Sequence, residues 1–165
     1  MNFPQSAGLR TGCLVATAAL IADQVTKEIV LSFAPRLIEG VPVLPSFSLI
    51  FGMNPGVSFS MFSDVPWWGL TAFALAVIAG FGVWMWRETR PLAVNGLGLI
   101  IGGALGNVVD RFRHGAVVDF LDFHVGAYHW PAFNLADTTI AIGVALLLWD
   151  AVRESRTSRS ERSTG

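Results

Sequence analysis

"WWGLTAFALAVIAGFGVWMW", residues Trp67–Trp86, holds 20 residues without a charged side chain. That matches the roughly 20 residues an α-helix needs to cross the hydrocarbon of a bilayer. Trp67, Trp68, Trp84 and Trp86 bracket the run, and indoles prefer the two membrane–water interfaces. A chain that contains such a segment must be read with lipid as its solvent. Its composition agrees: 53% of the 165 residues are hydrophobic, only 14% are charged, and mean hydropathy is +0.56. Soluble domains carry about 25% charged residues.

Outward from this helix, further apolar runs occupy about 92–111 and 131–150. A fourth, about 9–30, is interrupted by Asp23 and Lys27 and reads as an uncleaved first helix with polar residues at its far end. The expected fold is a mainly α membrane protein, four transmembrane helices with a small extracytoplasmic β-sheet platform. One membrane domain covers 1–154, and a Ser/Arg-rich disordered tail covers 155–165. The platform is assigned to about 31–66, where Pro35, Pro42, Pro45, Gly52, Pro55 and Gly56 punctuate the strand-like runs "FSLIFG" and "GVSFSMF". With four spans, Arg10, Arg87, Arg90, Arg153, Arg156, Arg159 and Arg162 share one side, and Lys27, Arg36, Arg111 and Arg113 the other. The richer side is cytoplasmic by the positive-inside tendency, so both termini are expected there. A net charge of −1 argues against a nucleic-acid partner. The lone cysteine, Cys13, excludes an intrachain disulfide and is expected to pack inside its helix.

The polar residues gather at one depth, the outer boundary. "DQVTK" ends the first helix with Asp23 and Lys27, and "NPGVSFS" in the outer loop supplies Asn54 and Gly56. "GGALGNVVDR" places Asn107, Asp110 and Arg111 at i, i+3 and i+4, hence on one helix face. Gly98, Gly102 and Gly106 form a small-residue seam for close helix contact. "VVDFLDF" holds Asp119 and Asp122, and "FNLADTT" holds Asn134 and Asp137. Structural roles exist for most of these: an i, i+4 ion pair for Asp23–Lys27, an N-cap for Asn134, a salt bridge for Asp110–Arg111, and a water-facing side chain for Asp122. Asp119 and Asp137 fit such roles least well. Each lies among bulky apolar neighbours at the edge of a span, where an ionisable group points to function.

Several chemistries lack their residues. No serine stands in a Gly-x-Ser-x-Gly elbow, and Ser58 and Ser60 have no histidine–acid relay. His114, His124 and His129 show no zinc-protease spacing, and Tyr128 and Trp130 make the latter two read as interface neighbours. No metal and no cofactor are expected. Two carboxylates survive. Brought close, they share a proton, so that the charged one activates water while the protonated one polarises a carbonyl.

The five ordered motifs, with "GAVVDFLDF" and "PAFNLADTTI" completing them, resemble those of the lipoprotein signal peptidases (signal peptidase II) across nearly the whole chain. The resemblance implies an aspartic endopeptidase of the bacterial inner membrane, with its site at the periplasmic face. It implies cleavage of diacylglyceryl-modified prolipoproteins before the lipidated cysteine, and inhibition by globomycin-type antibiotics. It places the catalytic pair on Asp119 and Asp137, with Asp23, Asn54, Asn107, Asp110, Arg111 and Asn134 as further site positions. Lys27 and Gly56, from the same motifs, join the supporting set. A monomer is expected. The competing reading is a proton- or ion-coupled transporter, which would need polar residues across the bilayer midplane. The second and fourth spans carry none there.

Overall fold

The computed structural model describes residues 5–56 and 66–163. The elements run α1 (Gln5–Ser32), α2 (Ala34–Leu37), β1 (Val41–Leu44), β2 (Phe47–Asn54), α3 (Trp67–Arg87), α4 (Pro91–His114), β3 (Val117–Val125), β4 (Tyr128–His129) and α5 (Leu135–Ser163). Three helices, α3, α4 and α5, are long and apolar enough to cross a membrane, and the protein is an integral membrane protein. α1 falls outside that set because Asp23, Lys27 and Glu28 interrupt it.

α4 is the central helix: 67% of its apolar window is buried, against 11% for α3 and 17% for α5. Small residues make this possible, since backbones in lipid approach closely only where no side chain intervenes. On one side a Cβ at Gly98 would meet the carbonyl oxygen of Gly12 at 2.6 Å, and one at Gly102 that of Ala16 at 2.3 Å. The sequence seam therefore faces α1. A second stripe faces α5, where a Cβ at Gly103 would meet the carbonyl of Ala136 at 2.4 Å. Ala16, Met85, Val94, Leu97 and Ile101 fill the space between α1, α3 and α4.

The antiparallel sheet has the order β1-β2-β3-β4. It extends beyond the expected 31–66, because β3 comes from the segment after α4. Gly115 ends α4 in the left-handed conformation (φ 72°), its N–H bonding the Arg111 carbonyl at 2.9 Å. That turn sends the chain back into β3, opposite β2. An extra residue on β2 between Leu49 and Gly52 brings Gly52 opposite Asp119. Val30, Leu37, Val118 and Phe120 form the core beneath the sheet. The run "GVSFSMF" lies almost wholly outside the described residues.

Other expectations need correction. The fourth apolar helix begins at Leu135 rather than 131, because Phe133 first pairs with Leu121 and Asn134 then caps the helix. The segment from 155, expected to be disordered, continues α5 as helix to Ser163. No Gly or Pro occurs between Val144 and Thr164 to stop it. Cys13 is exposed on α1 rather than buried, since the small residues take the α4-facing side.

At the end of the bundle remote from the sheet, Glu88 closes the α3–α4 turn. Its carboxylate accepts the N–H groups of Thr89 and Arg90 and the Trp84 indole N–H. Hydrogen bonds from the Arg90 side chain outweigh burial and hold Glu88 down at about 2. Its contribution to stability is therefore present above the usual 4.5 and is lost as pH falls through about 2. Arg90 also reaches Glu154 on α5 and lies 3.1 Å from Asp150, a charge contact without hydrogen-bond alignment.

The glycine seam predicts a contrast within one class of substitution. Gly102→Ala forces backbone apart and should cost roughly 1–3 kcal/mol, or on the order of 3–10 °C in thermal midpoint. Gly80→Ala, with nothing within 4 Å of the new Cβ, should leave the midpoint near that of the parent. Thermal unfolding in detergent decides, and equal midpoints for the two variants would reject close α1–α4 packing as a source of stability.

Candidate active site

Every residue expected at the site, save the substrate-facing roles given to some, falls into one network at the sheet end of the bundle. Its base is Lys27, 2% exposed and one helical turn beyond Asp23, which is 0% exposed. The ammonium lies 2.9 Å from each of three acceptors: Asp23 Oδ2, Asp110 Oδ2 and Asn107 Oδ1. Three N–H donors thus meet three oxygens, which is what a buried ammonium requires. The i, i+4 pair expected of Asp23 and Lys27 is real, but it lies in the interior with a second carboxylate.

The two acids extend the network into other elements. Asp23 Oδ1 accepts the backbone N–H of Ala136 at the start of α5 (2.9 Å), and Asp110 Oδ2 accepts that of Val118 in β3 (3.0 Å). Gly106 leaves room for this, since a Cβ there would meet Asp23 Oδ2 at 2.2 Å. Asp110 does not pair with Arg111, contrary to the adjacent-residue salt bridge considered above. Successive helical residues diverge by about 100°, so Asp110 turns to Lys27 while Arg111 turns to the outer loop. There Nη2 of Arg111 donates to the Gly56 carbonyl (3.0 Å) and Nη1 to that of Asn107 (3.3 Å). Its Nε–H is buried with no partner among the described residues.

Asn134 joins the two remaining carboxylates. Its Oδ1 accepts the Asp137 N–H at 3.0 Å, and its own N–H lies 3.3 Å from Asp137 Oδ2, a reciprocal cap at the start of α5. The same side chain donates from Nδ2 to Asp119 Oδ1 at 2.7 Å and to Asn107 Oδ1 at 3.2 Å. The pairing of Phe133 with Leu121 sets Asn134 beside β3 and makes this possible. Asn107 completes the ring by donating to Asp137 Oδ1 at 2.9 Å. On the other side Asn54 Nδ2 donates to Asp119 Oδ2 at 2.9 Å, while its Oδ1 accepts the Gly56 N–H in a local turn.

Asp119 and Asp137 consequently line one cavity of about 150 Å³ with Asn54, Gly56, Asn107, Arg111 and Val117. Burial pushes Asp119 up to about 6, assisted by the Asp137 charge and opposed by the Asn54 and Asn134 amides. Asp122 is absent from this group. It is buried, not water-facing as considered above, because His129 covers it with Nδ1 at 2.9 Å. His124 stacks on His129, ring centroids 5.0 Å apart, and contacts Ser48 Oγ. Among the described residues no three His, Cys, Asp or Glu side chains converge as a metal-ligand set.

The family described as signal peptidase (SPase) II matches residues 15–153, a span that contains every residue of this network. This chain belongs to the signal peptidase II family. The lipoprotein signal peptidase of Nitrobacter hamburgensis is 46% identical over 152 residues, spanning 87% of this chain and 92% of the relative. That of Paraburkholderia phymatum is 41% identical over 165 residues, spanning 96% and 98%. A solved bacterial membrane enzyme superposes with a TM-score of 0.78 at 26% identity, covering 88% of this chain and 89% of that one. The fold is thus that of a membrane enzyme.

Sequence reasoning gave no site role to two contributors to the network of this signal peptidase II family member, Gln24 and Phe133. Gln24 donates to Asp110 Oδ1 (3.0 Å) and to the Gly106 carbonyl (3.3 Å), tying α1 to α4. Its place in "DQVTK" beside Asp23 was the available signal. Phe133, an ordinary apolar residue by sequence, sets Asn134 through backbone pairing with Leu121 and through its ring, stacked on Phe123 at 5.8 Å, and nothing local in the sequence specified either partner.

The environment of Asp119 predicts a titration. Its folded value lies above the ordinary one, so the protonated form is favoured by folding. The associated stability is complete below about 4 and is lost as pH rises through about 6. An infrared carboxylic-acid band should titrate near pH 6 and be missing from Asp119→Asn. A band titrating only near the unperturbed value of about 4 would show that burial does not govern this group.

Proposed function

We propose that this protein removes the signal peptide of diacylglyceryl-modified prolipoproteins, cleaving on the N-terminal side of the lipidated cysteine, with Asp119 and Asp137 as the catalytic pair. The observation that carries the proposal is the convergence of these two acids, linked through Asn134, on one cavity. Membership of the signal peptidase II family gives the reaction class, and the relatives' name, lipoprotein signal peptidase, gives the substrate class.

The chemistry needs one acid charged and one protonated. The charged carboxylate takes a proton from a water held between the two, and that water's oxygen attacks the scissile carbonyl carbon. The protonated carboxyl gives its proton to the carbonyl oxygen as the tetrahedral intermediate forms. Collapse breaks the C–N bond, with a proton passing to the departing cysteine amine. Like charges so close do not ionise together cheaply, and the apparent values belong to the pair rather than to either member. Asn54, Asn107 and Asn134 hold the carboxylates by N–H donation on both oxygens of each. Arg111, whose Nε–H has no partner among the described residues and which lines the cavity, is suited to donate to a substrate carbonyl. Asp23, Lys27 and Asp110 act from behind, and Gly56 anchors Arg111 through its carbonyl.

For the membrane setting, we assign α1 as a fourth span. Its charged pair is buried against α4 while Leu14, Ile21, Val25 and Ile29 face outward, so a lipid-facing surface is retained. Both termini then lie in the cytoplasm by the distribution of Lys and Arg. The active site faces the periplasmic side of the inner membrane. The diacylglyceryl chains remain in lipid while the peptide lies extended along the outer sheet. A monomer suffices, since every group used comes from one chain, and the same cavity would take globomycin-type inhibitors.

The test is cleavage of a synthetic lipobox peptide by the purified protein in detergent. A diacylated peptide should be cut before its cysteine, and the same peptide with a free cysteine should be cut far more slowly. Equal turnover of the two would remove the lipid from the account, and no cleavage of either by folded protein would reject the proposed activity.

A further inference from the structure

The opposite end of α5 carries a second feature that proteolysis does not use. At ~1.5 Å per residue, 29 helical residues extend farther than the ~30 Å hydrocarbon. The uncharged stretch ends at Trp149, and the charged residues that follow are sorted by helix face. Asp150 and Glu154, at i and i+4, turn to Arg90 in the α3–α4 turn. Arg153 and Arg156 instead join Trp149 and Val152 around a cavity of about 200 Å³. Positions 149, 152, 153 and 156 follow the i, i+3, i+4, i+7 pattern of a single face. Trp149 is 66% exposed and Val152 48%.

We infer that this face is a binding site for one anionic phospholipid of the adjoining leaflet. The two guanidiniums are suited to the phosphodiester, which they can bond in bidentate fashion. The indole and the valine are suited to the glycerol and upper acyl chain, at the depth where tryptophan marks the interface. Charge selects the anionic headgroup. The two acids of this segment that would repel it are held by Arg90, whereas choline or ethanolamine would bring a cation against Arg153 and Arg156. The apolar half of the cavity favours a lipid over free phosphate, which has nothing to place there. This inference depends on the helix being in a membrane and does not depend on the catalytic assignment.

The experiment titrates the full chain in zwitterionic detergent with dioleoyl phosphatidylglycerol or dioleoyl phosphatidylcholine, reading bound lipid by native mass spectrometry. Phosphatidylglycerol should bind at least about tenfold tighter. Arg153→Gln with Arg156→Gln should remove that preference, a loss on the order of 30-fold for two cations near a headgroup. Trp149→Ala, which leaves charge unchanged, should also weaken phosphatidylglycerol binding. The control removes equal charge at the same end of the bundle, through Arg10→Gln with Arg87→Gln, and should change affinity by less than about threefold. Equal loss in both double variants would reduce the effect to general surface charge and overturn the site. So would equal affinity for the two lipids, or displacement of phosphatidylglycerol by inorganic phosphate at matched ionic strength.

Discussion

A buried ammonium must have acceptors, and the arrangement of this protein's functional end follows from where Lys27 finds them. Its three oxygens come from α1 and α4. Two of the groups supplying those oxygens reach onward, Asp23 to the first turn of α5 and Asp110 to β3. The third, Asn107, presents its amide N–H to Asp137 because Lys27 and Asn134 hold its carbonyl oxygen. Thus one cation fixes the mutual placement of two helices, a strand and a further helix start. Removing it would leave two buried carboxylates without their counter-charge, a loss of about 3–5 kcal/mol for a broken buried pair.

Asn134 shows how stability and chemistry share atoms. Its carbonyl oxygen and backbone N–H form the cap that starts α5, a feature of ordinary helices. Its amide nitrogen bonds Asp119. The helix start is therefore also the point where the two acids are joined, and the residue that follows the cap by three is one of them. The two acids sit on different kinds of element. Asp119 lies on a strand, 4% exposed, with two amide donors that only partly offset burial. Asp137 lies in the first turn of α5, where the Asn107 amide and the Asn134 backbone N–H each reach one of its oxygens.

Three apolar spans and the polar residues that meet in one network were legible in the sequence, because an uncharged 20-residue run and acids at its edges have few soluble explanations. The glycine spacing likewise announced a seam for close helix contact, though not that α1 would be the partner. What was hidden depended on nonlocal pairing. β3 joins a sheet assigned to another segment because Gly115 reverses the chain, and nothing local specified the partner of that strand. Asp122 looked like a water-facing residue on an alternating segment, yet His129, seven residues on, covers it. Asp110 and Arg111 seemed a pair because they are adjacent and of opposite sign. Lys27, 83 positions before Asp110, was the true partner. The helical continuation of α5 to Ser163 was obscured by a Ser- and Arg-rich composition that resembles disordered tails.

The central claim is that Asp119 and Asp137 act as one catalytic unit, and substitution kinetics on a diacylated lipobox peptide test it most directly. An amide in place of either carboxyl keeps its size but can neither accept water's proton nor donate an acidic one. Asp119→Asn and Asp137→Asn should each lower turnover by a factor on the order of a thousand or more, and the double variant should be scarcely worse than either. Asp122→Asn and Asp150→Asn should retain much of the activity. Substantial turnover by folded Asp119→Asn, alongside an inactive Asp122→Asn, would contradict the account and move the chemistry to the wrong side of β3.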